Sequence, residues 1–197
     1  MANNSKIVGI ILSGGAGRRL GGVDKGLQNY QSKPLIEQVI QQIQPQVDEL
    51  LLCVNRNQQH YAEYGFPLIC DQEPQSYQGP LAGIYAAIKY LNQLAENNSY
   101  RLLISSCDSP NLPSDHAQKL LSALSNSAAS SSVVYDGHRT QNLHCLIKQS
   151  AFDSLLDFYE TGGRAMHQWH KKNASIEVDF SEQAACFLNV NSMDKFK

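Results

Sequence analysis

The chain lacks any apolar run long enough to cross a membrane, and its N-terminus lacks a separate apolar segment that ends in a small-residue cleavage site. Its five cysteines are an odd number, widely spaced, and no two of them stand at a metal-ligand separation. These absences exclude a membrane-bound class and a disulfide framework. We therefore expect a cytoplasmic protein whose cysteines are reduced thiols and mostly buried.

A strong overall charge is also missing, since the formal net charge is only −2. The first 33 residues hold five cations and one carboxylate, a net charge of +4, so the remaining residues must sum to −6. Cations concentrated on one segment of a mildly acidic protein indicate a local anion site and not a nucleic-acid surface. With 197 residues, 42% of them hydrophobic, the chain is predicted to fold as one domain over residues 1–197.

The anion site is predicted at the glycine-rich segment that follows the apolar run Ile7 to Leu12. Five glycines occur within nine residues, 14–22, together with two arginines, and a lysine follows at position 25. The segment is not a P-loop, because Gly22 is followed by Val23, and it is not a dinucleotide fingerprint, because position 20 is leucine. Backbone N–H groups without side chains, next to fixed cations, are typical of a polyphosphate cradle. A flexible turn is the alternative.

Short apolar runs alternate with segments of helical period along the whole chain, a pattern typical of a parallel sheet covered by helices. The sequence therefore predicts a three-layer α/β fold with a mostly parallel sheet. Predicted strands are Ile7 to Leu12, Glu49 to Val54, Pro67 to Cys70, Tyr100 to Ser105, Ser131 to Tyr135, Leu143 to Ile147 and Phe187 to Asn189. Predicted helices begin at Pro34, at about Leu81, after Ser114 as N-cap, at Ala151 and at Arg164. We expect His60, His116 and His138 on the surface.

Polar residues follow several of these strands directly. In an open parallel sheet, ligands bind outside the carboxyl ends of the strands, so these residues are the candidates for a site. They are the glycine-rich segment, Asn55, Asp71, Asp108, Asn189 and Asn191. Two carboxylates, several amides and a phosphate-binding segment at one sheet edge indicate a nucleotide-and-metal site.

The same residues carry a family resemblance that runs in order from residue 7 to about residue 195. Leu12-Ser-Gly-Gly-Ala-Gly-Arg-Arg with Lys33-Pro34-Leu35 resembles the signature of the nucleoside-diphosphate-sugar pyrophosphorylase superfamily of nucleotidyltransferases. More specific matches are Gly22-Val-Asp-Lys-Gly-Leu27, Gly79-Pro-Leu-Ala-Gly83, Cys107-Asp-Ser-Pro110 and Asn189-Val-Asn191. This combination is similar to the family of molybdenum cofactor guanylyltransferases.

The resemblance implies a Rossmann-like nucleotidyltransferase fold, with GTP and molybdopterin cofactor as substrates and Mg²⁺ as the metal. It implies transfer of GMP to the cofactor with release of pyrophosphate, and delivery of the acceptor by an upstream molybdenum-insertion protein. The implied nucleotide contacts are Leu12, Ser13, Gly14, Gly15, Lys25, Asp71, Gly79, Pro80 and Asp108, with Asp108 also holding Mg²⁺ and Asn189 and Asn191 lining the cofactor side. At Cys53 the chain departs from the family, in which many members have an asparagine that contacts the nucleotide.

The chemistry also follows from the residues. A phosphate monoester is largely dianionic at neutral pH, so it attacks without a basic side chain, and the protein must supply alignment and positive charge. Lys25 and Arg18 are predicted to stabilise the leaving pyrophosphate, and Asp108 to bind Mg²⁺. From its position after a strand, Asp71 is predicted to accept hydrogen bonds from the nucleotide, for which the N1–H and amino group of guanine are candidates.

Simpler interpretations remain open. Asp108 can initiate a turn, Lys25 can be a solvated loop cation, Gly79-Pro80 can merely begin a helix, and Asn189 and Asn191 can be turn formers. Alternative functions are cytidylyl transfer to the same cofactor, a sugar-1-phosphate nucleotidyltransferase, and a nucleotide-binding protein without catalysis.

Overall fold

A seven-stranded sheet forms the centre of the molecule. The computed structural model describes residues 5–13, 23–71, 79–94 and 99–190. The strands in these ranges are β1 (Lys6–Leu12), β2 (Asn29–Tyr30), β3 (Lys33–Pro34), β4 (Glu49–Cys53), β5 (Leu68–Ile69), β6 (Tyr100–Ser106), β7 (Ser131–Tyr135), β8 (Thr140–Lys148) and β9 (Ser175–Asp179). Their order in the large sheet is β5-β4-β1-β6-β8-β7-β9, while β2 and β3 form a separate antiparallel pair.

The sheet is mostly parallel, as the sequence predicts. Strand β1 pairs in parallel with β4 and β6, β4 pairs in parallel with β5, and β7 pairs in parallel with β9. Only β8 runs against its neighbours β6 and β7. The parallel strands β1, β4, β5 and β6 therefore end at the same edge, and this edge receives the residues that follow each of them.

Helices cover both faces of the sheet, which gives three layers. The α-helices of the described residues are α1 (Leu35–Ile43), α2 (Gln58–Ala62), α3 (Pro80–Leu94), α4 (His116–Ser125), α5 (Phe152–Glu160) and α6 (Met166–Lys172). Buried residues of α3, α5 and α6 pack on one face, and those of α1 and α4 on the other. A search of the described helices for one both long and apolar enough to cross a membrane finds none.

Near the C-terminus one strand predicted from the sequence is wrong, and a strand is observed where none was predicted. Residues 187–189 are not a strand, since Phe187 ends a 3-10 helix, Ser181–Phe187, and packs beside His116 and His144. The last strand is β9 instead. It lies at the edge of the sheet, and its side chains are partly or fully exposed. An edge strand with one covered face has too few apolar residues to form the continuous run by which the inner strands are recognised.

The start of α4 also differs from the prediction. The helix is preceded by Asp115, not capped by Ser114, and no side-chain cap bond is made by the N-cap residue. The side chain of Gln46 accepts the N–H of Ala117 at 2.9 Å and so satisfies one of the first-turn donors from a distant part of the chain. Sequence signals for a cap cannot reveal such a long-range acceptor.

His116 is fully buried, so its predicted surface position is wrong. Its ring lies 5.9 Å from that of His144, and both pack against Phe187. Within the described parts of the chain, neither ring nitrogen of His116 has a hydrogen-bond partner, and Nδ1 of His144 has none either. Burial lowers the pKa of each imidazole to about 3, because a charged ring would lose its hydration in the protein interior.

This pair is expected to make the protein less stable in mild acid. The unfolded chain takes up protons at His116 and His144 below a pKa of about 6.5, whereas the folded chain does so only near pH 3. The free energy of unfolding should therefore fall from pH 6.5 downwards, by up to about 1.4 kcal/mol per histidine per pH unit. Urea unfolding between pH 7 and pH 5 measures this slope.

The His116→Phe variant should show a smaller slope, because one of the two buried titrating groups is removed. Substitution of the exposed His60 by glutamine serves as the control and should leave the slope unchanged. Equal slopes in all three proteins would show that the buried pair does not govern acid stability.

Candidate nucleotide-binding and transfer site

Four strands place the candidate residues along one edge of the sheet. Leu12, the last residue of β1, is in register with Cys53 of β4 and with Ser106 of β6, and Cys53 is in register with Ile69 of β5. The residues just beyond these positions therefore lie side by side. The predicted convergence of Ser13, Asn55, Asp71 and Asp108 on this edge is observed.

At this edge Lys25 and Asp108 meet. The Nζ atom of Lys25 lies 2.9 Å from Oδ1 of Asp108, and their side chains are 16% and 29% exposed. Each ion is thus partly shielded from water but remains reachable from the edge. A cation and a carboxylate held together in this way can both help to bind a polyanionic ligand. The cation can bind phosphate directly, and the carboxylate can bind a metal ion that in turn binds phosphate.

Main-chain hydrogen bonds fix Asp108 at the end of β6. The N–H of Cys107 donates to the carbonyl of Leu12 at 3.1 Å, and the N–H of Val190 donates to the carbonyl of Asp108 at 2.9 Å. The hydroxyl of Ser109 donates to Oδ1 of Asn189 at 3.1 Å. Asn189 is therefore brought beside Asp108 as expected from the sequence, but through a non-helical segment that contacts Asp108 and Ser109 and not through a strand.

Asp71 lies farther along the edge and is held by Asn55. The amide Nδ2 of Asn55 donates to Oδ2 of Asp71 at 2.6 Å, and the N–H of Asp71 donates to Oδ1 of Asn55 at 3.0 Å. Burial raises the pKa of the Asp71 carboxyl, and the hydrogen bond from Asn55 opposes this shift. Two reciprocal bonds give the carboxylate one fixed orientation.

Cys53 does not take the place of an amide at this site. Its thiol is buried and lies 3.6 Å from the carbonyl of Gly83 in α3, so it faces the helix layer. Burial raises the pKa of this thiol and keeps it neutral. The amide at this part of the edge is that of Asn55, two residues later, and it donates a hydrogen bond to Asp71.

Gly79 and Pro80 open helix α3 close to the loop that carries Arg164. Gly79 has a φ of +83°, which favours glycine, and Pro80 is the first helical residue. A Cβ at Gly79 would lie 3.9 Å from the carbonyl oxygen of Arg164. The guanidinium of Arg164 lies 4.4 Å from the ring centre of Tyr159. The segment is thus an open backbone turn beside an exposed cation.

One buried carboxylate at the site was not assigned a role from the sequence. Asp24, directly before Lys25, is only 7% exposed and accepts a hydrogen bond from Tyr61 at 2.8 Å and one from Asn57 at 2.9 Å. Its other neighbour is Arg56, whose Nε lies 3.6 Å away. The sequence signal for it is the match at Gly22-Val-Asp-Lys-Gly-Leu27, which contains Asp24.

Four of the predicted site residues lie outside the described residues, namely Gly14, Gly15, Arg18 and Asn191. Leu12, Ser13, Lys25, Asp71, Gly79, Pro80, Asp108 and Asn189 are described. All five cysteines are free thiols, as predicted, and Cys53, Cys107 and Cys145 are buried.

The oxygen donors of this edge are of the kind that Mg²⁺ prefers. Asp108 offers a partly exposed carboxylate that already pairs with a cation. In the described parts of the chain, no three side chains of histidine, cysteine, aspartate or glutamate are grouped as metal ligands. A divalent ion bound here would therefore complete its coordination with phosphate oxygens and water, as Mg²⁺ commonly does at nucleotide sites.

Comparisons with known proteins find a matching family model and relatives that span nearly the whole chain. A family model described as MobA-like NTP transferase domain matches residues 9–174. Molybdenum cofactor guanylyltransferase from Shewanella sediminis is 39% identical over 190 residues, which cover 96% of this chain and 93% of the relative. The same-named protein from Shewanella halifaxensis is 38% identical over 191 residues, 97% of this chain and 92% of the relative.

A solved structure with a similar fold is molybdopterin-guanine dinucleotide biosynthesis protein A from Archaeoglobus fulgidus. Its TM-score is 0.76 at 20% identity, and the match covers 96% of this chain and 94% of that one. At this identity the likeness shows the shared fold.

Proposed function

Because the chain belongs to the family of MobA-like NTP transferase domains, we propose that it transfers GMP from GTP to molybdopterin cofactor and releases pyrophosphate. The relatives at 37 to 39% identity that span nearly the whole chain are named molybdenum cofactor guanylyltransferase. The structural observation that carries the proposal is the contact of 2.9 Å between Lys25 and Asp108 at the strand edge.

In this reaction a phosphate oxygen of the acceptor attacks the α-phosphorus of GTP. A new P–O bond forms, the bond between the α-phosphorus and its bridging oxygen to the β-phosphate breaks, and that oxygen leaves with pyrophosphate. The attacking group is already anionic near pH 7, so no side chain has to remove a proton. The protein is left with two tasks, alignment of the two phosphates and neutralisation of charge on the leaving group.

Lys25 is proposed to perform the second task. Its ammonium group is held at the edge by Asp108, and the glycine-rich segment that precedes it supplies N–H groups without side chains. When the triphosphate binds, the cation interacts with the negative charge that grows on the β- and γ-phosphates. Arg18 is proposed to add a second cation there.

Asp108 is proposed to hold Mg²⁺ together with the phosphates of GTP. When bound, the ion neutralises phosphate charge and fixes the geometry of displacement. Leu12, Ser13, Gly14 and Gly15 are proposed to bind the nucleotide through the main chain, and Gly79 and Pro80 to leave space for it. Asn189 and Asn191 are proposed to face the acceptor, which an upstream molybdenum-insertion protein would deliver, and residues 1–197 are proposed to form one domain.

The test is a defined reaction of the purified protein with molybdopterin cofactor, Mg²⁺ and each of the four NTPs in turn. GTP is expected to give the guanine dinucleotide and one pyrophosphate per product. Preferential use of CTP would show cytidylyl transfer instead. Binding of GTP without product from any acceptor would show a nucleotide-binding protein without catalysis.

Asp71 is proposed to read guanine through the N1–H and the 2-amino group. The Asp71→Asn variant should raise the KM for GTP about tenfold or more, because hydrogen bonds to a charged group contribute about 1.5–3 kcal/mol. Turnover at saturating GTP should change much less, since Asp71 lies apart from Lys25 and Asp108. With ITP, which lacks the 2-amino group, the difference between the two proteins should shrink. An unchanged affinity for GTP would contradict this role.

A further inference from the structure

The ends of the glycine-rich segment are joined by one buried tyrosine hydroxyl. Ser13 precedes this segment in the sequence and Asp24 follows it, and both are buried. The Oη atom of Tyr61 lies 2.7 Å from Oγ of Ser13 and 2.8 Å from Oδ1 of Asp24. Tyr61 itself is fully buried and comes from α2, which is a separate element.

The direction of these bonds follows from the number of protons. Asp24 as a carboxylate can only accept, so the single hydroxyl proton of Tyr61 is donated to Asp24. The hydroxyl of Ser13 must then donate to Tyr61. Burial beside Asp24 raises the pKa of Tyr61, so the phenol keeps its proton and the chain of bonds has one fixed direction.

Two residues of the connection between β4 and α2 also contact the carboxylate of Asp24. Asn57 donates to Oδ2 at 2.9 Å, and Arg56 places Nε 3.6 Å from that oxygen and donates through Nη2 to the carbonyl of Val23 at 2.8 Å. Asn57 has a φ of +51°, a conformation that asparagine adopts more readily than most residues. A buried carboxylate with this many donors is stabilised in one position.

Gly26, on the other side of Lys25, packs closely against the same two hydroxyls. A Cβ at Gly26 would collide with Oγ of Ser13 and Oη of Tyr61. The residues on both sides of Lys25 therefore contact the same buried hydroxyl groups, those of Ser13 and Tyr61. The ammonium group of Lys25 extends away from them to Asp108.

We infer that Tyr61, acting through Asp24 and Ser13, is a positioning residue that sets the place of Lys25 relative to the reacting phosphates. The inference rests on the proposed function. It assigns to α2, and to the connection that joins α2 to β4, a part in the transfer step. A displacement of a reacting group by about 1 Å can lower the rate up to about a hundredfold. Loss of the Tyr61 hydroxyl should therefore lower the rate by a measurable amount.

The test compares Tyr61→Phe with Tyr100→Phe. Both tyrosines are buried, but Tyr100 begins β6 at the end of the strand opposite to Asp108. Tyr61→Phe should lower kcat about tenfold, with a smaller change in the KM for GTP, whereas Tyr100→Phe should leave both unchanged. Circular dichroism and thermal melting confirm that each variant is folded at the assay temperature. An unchanged kcat in folded Tyr61→Phe would overturn the inference.

A double-mutant cycle separates positioning from a general loss of stability. Lys25→Met should lower kcat about a hundredfold in the wild-type protein but only about tenfold in the Tyr61→Phe protein, because a displaced lysine contributes less. Fully additive effects would overturn the inference. Should Tyr61→Phe fail to fold, Asn57→Gly replaces it, since glycine keeps the positive φ and removes only the amide donor to Asp24.

The same proteins distinguish this inference from the proposed function. Wild-type protein that makes no dinucleotide with any NTP would refute the proposed function alone. The cycle is then measured on the dissociation constant of Mg²⁺-GTP, where non-additive effects of Tyr61→Phe and Lys25→Met support positioning and additive effects refute it.

Discussion

Replacement of Asp108 by asparagine is expected to lower turnover about a thousandfold while the fold is retained. The amide keeps the size of the side chain but removes the charge that pairs with Lys25 at 2.9 Å. The main-chain bonds that place residue 108 do not depend on its side chain. A partly exposed ion pair contributes only about 0–1 kcal/mol to stability, so the melting temperature should change little.

Two measurements separate a metal ligand from a turn residue at this position. The Mg²⁺ concentration that gives half-maximal turnover should rise in Asp108→Asn, because the protein's carboxylate ligand is lost. Glu49→Gln is the matched control, since Glu49 pairs with Lys6 at 2.8 Å at the opposite edge of the sheet, and it should keep full activity. If Asp108→Asn retains more than a tenth of wild-type turnover, Asp108 only shapes the turn.

The inner strands were predictable because they are buried on both faces. Residues Ile7 to Leu12 form a continuous apolar run, and Tyr100 to Ser105 contains the apolar run Leu102 to Ile104. The observed strands extend the two predicted strands by one residue each. The strand Ser131 to Tyr135 has the predicted bounds. Burial on both faces imposes a composition that can be recognised locally, without knowledge of the partner strands.

The features that sequence reasoning missed are those set by distant contacts. His116 has a polar side chain, which favours a surface position, yet in the fold it is surrounded by Phe180, Phe187 and His144. Strand β9 is defined by its parallel pairing with β7 and not by its own hydrophobicity. Neither partner can be identified from the neighbouring residues in the chain.

In the candidate site, too, some residues could be predicted from the local sequence and others depend on distant contacts. Asp71 and Asp108 were predicted because each directly follows a strand, and the rule for parallel sheets brings such residues together. Tyr61 was missed because it lies inside a short helix, where its single polar atom gives no local signal of its contact with Asp24. The supporting residues of a site depend on packing between elements, which sequence position alone does not reveal.

Lys25→Met is expected to lower turnover about a hundredfold with little effect on the Mg²⁺ requirement. Methionine fills a similar volume but carries no charge for the leaving pyrophosphate. Since the carboxylate of Asp108 remains, the half-maximal Mg²⁺ concentration should stay within about threefold of the wild-type value. The two partners of one ion pair should thus have different kinetic signatures, a loss in kcat for Lys25 and a raised metal requirement for Asp108.

Lys6→Met is the matched control, because it removes a lysine from an ion pair of similar length at the other end of β1. It should leave both parameters unchanged, which excludes a general effect of the lost positive charge. The opposite result for Lys25→Met, an altered Mg²⁺ requirement at full kcat, would mean that Lys25 only neutralises Asp108. In that case the charge on pyrophosphate must be stabilised elsewhere, with Arg18 as the next residue to substitute.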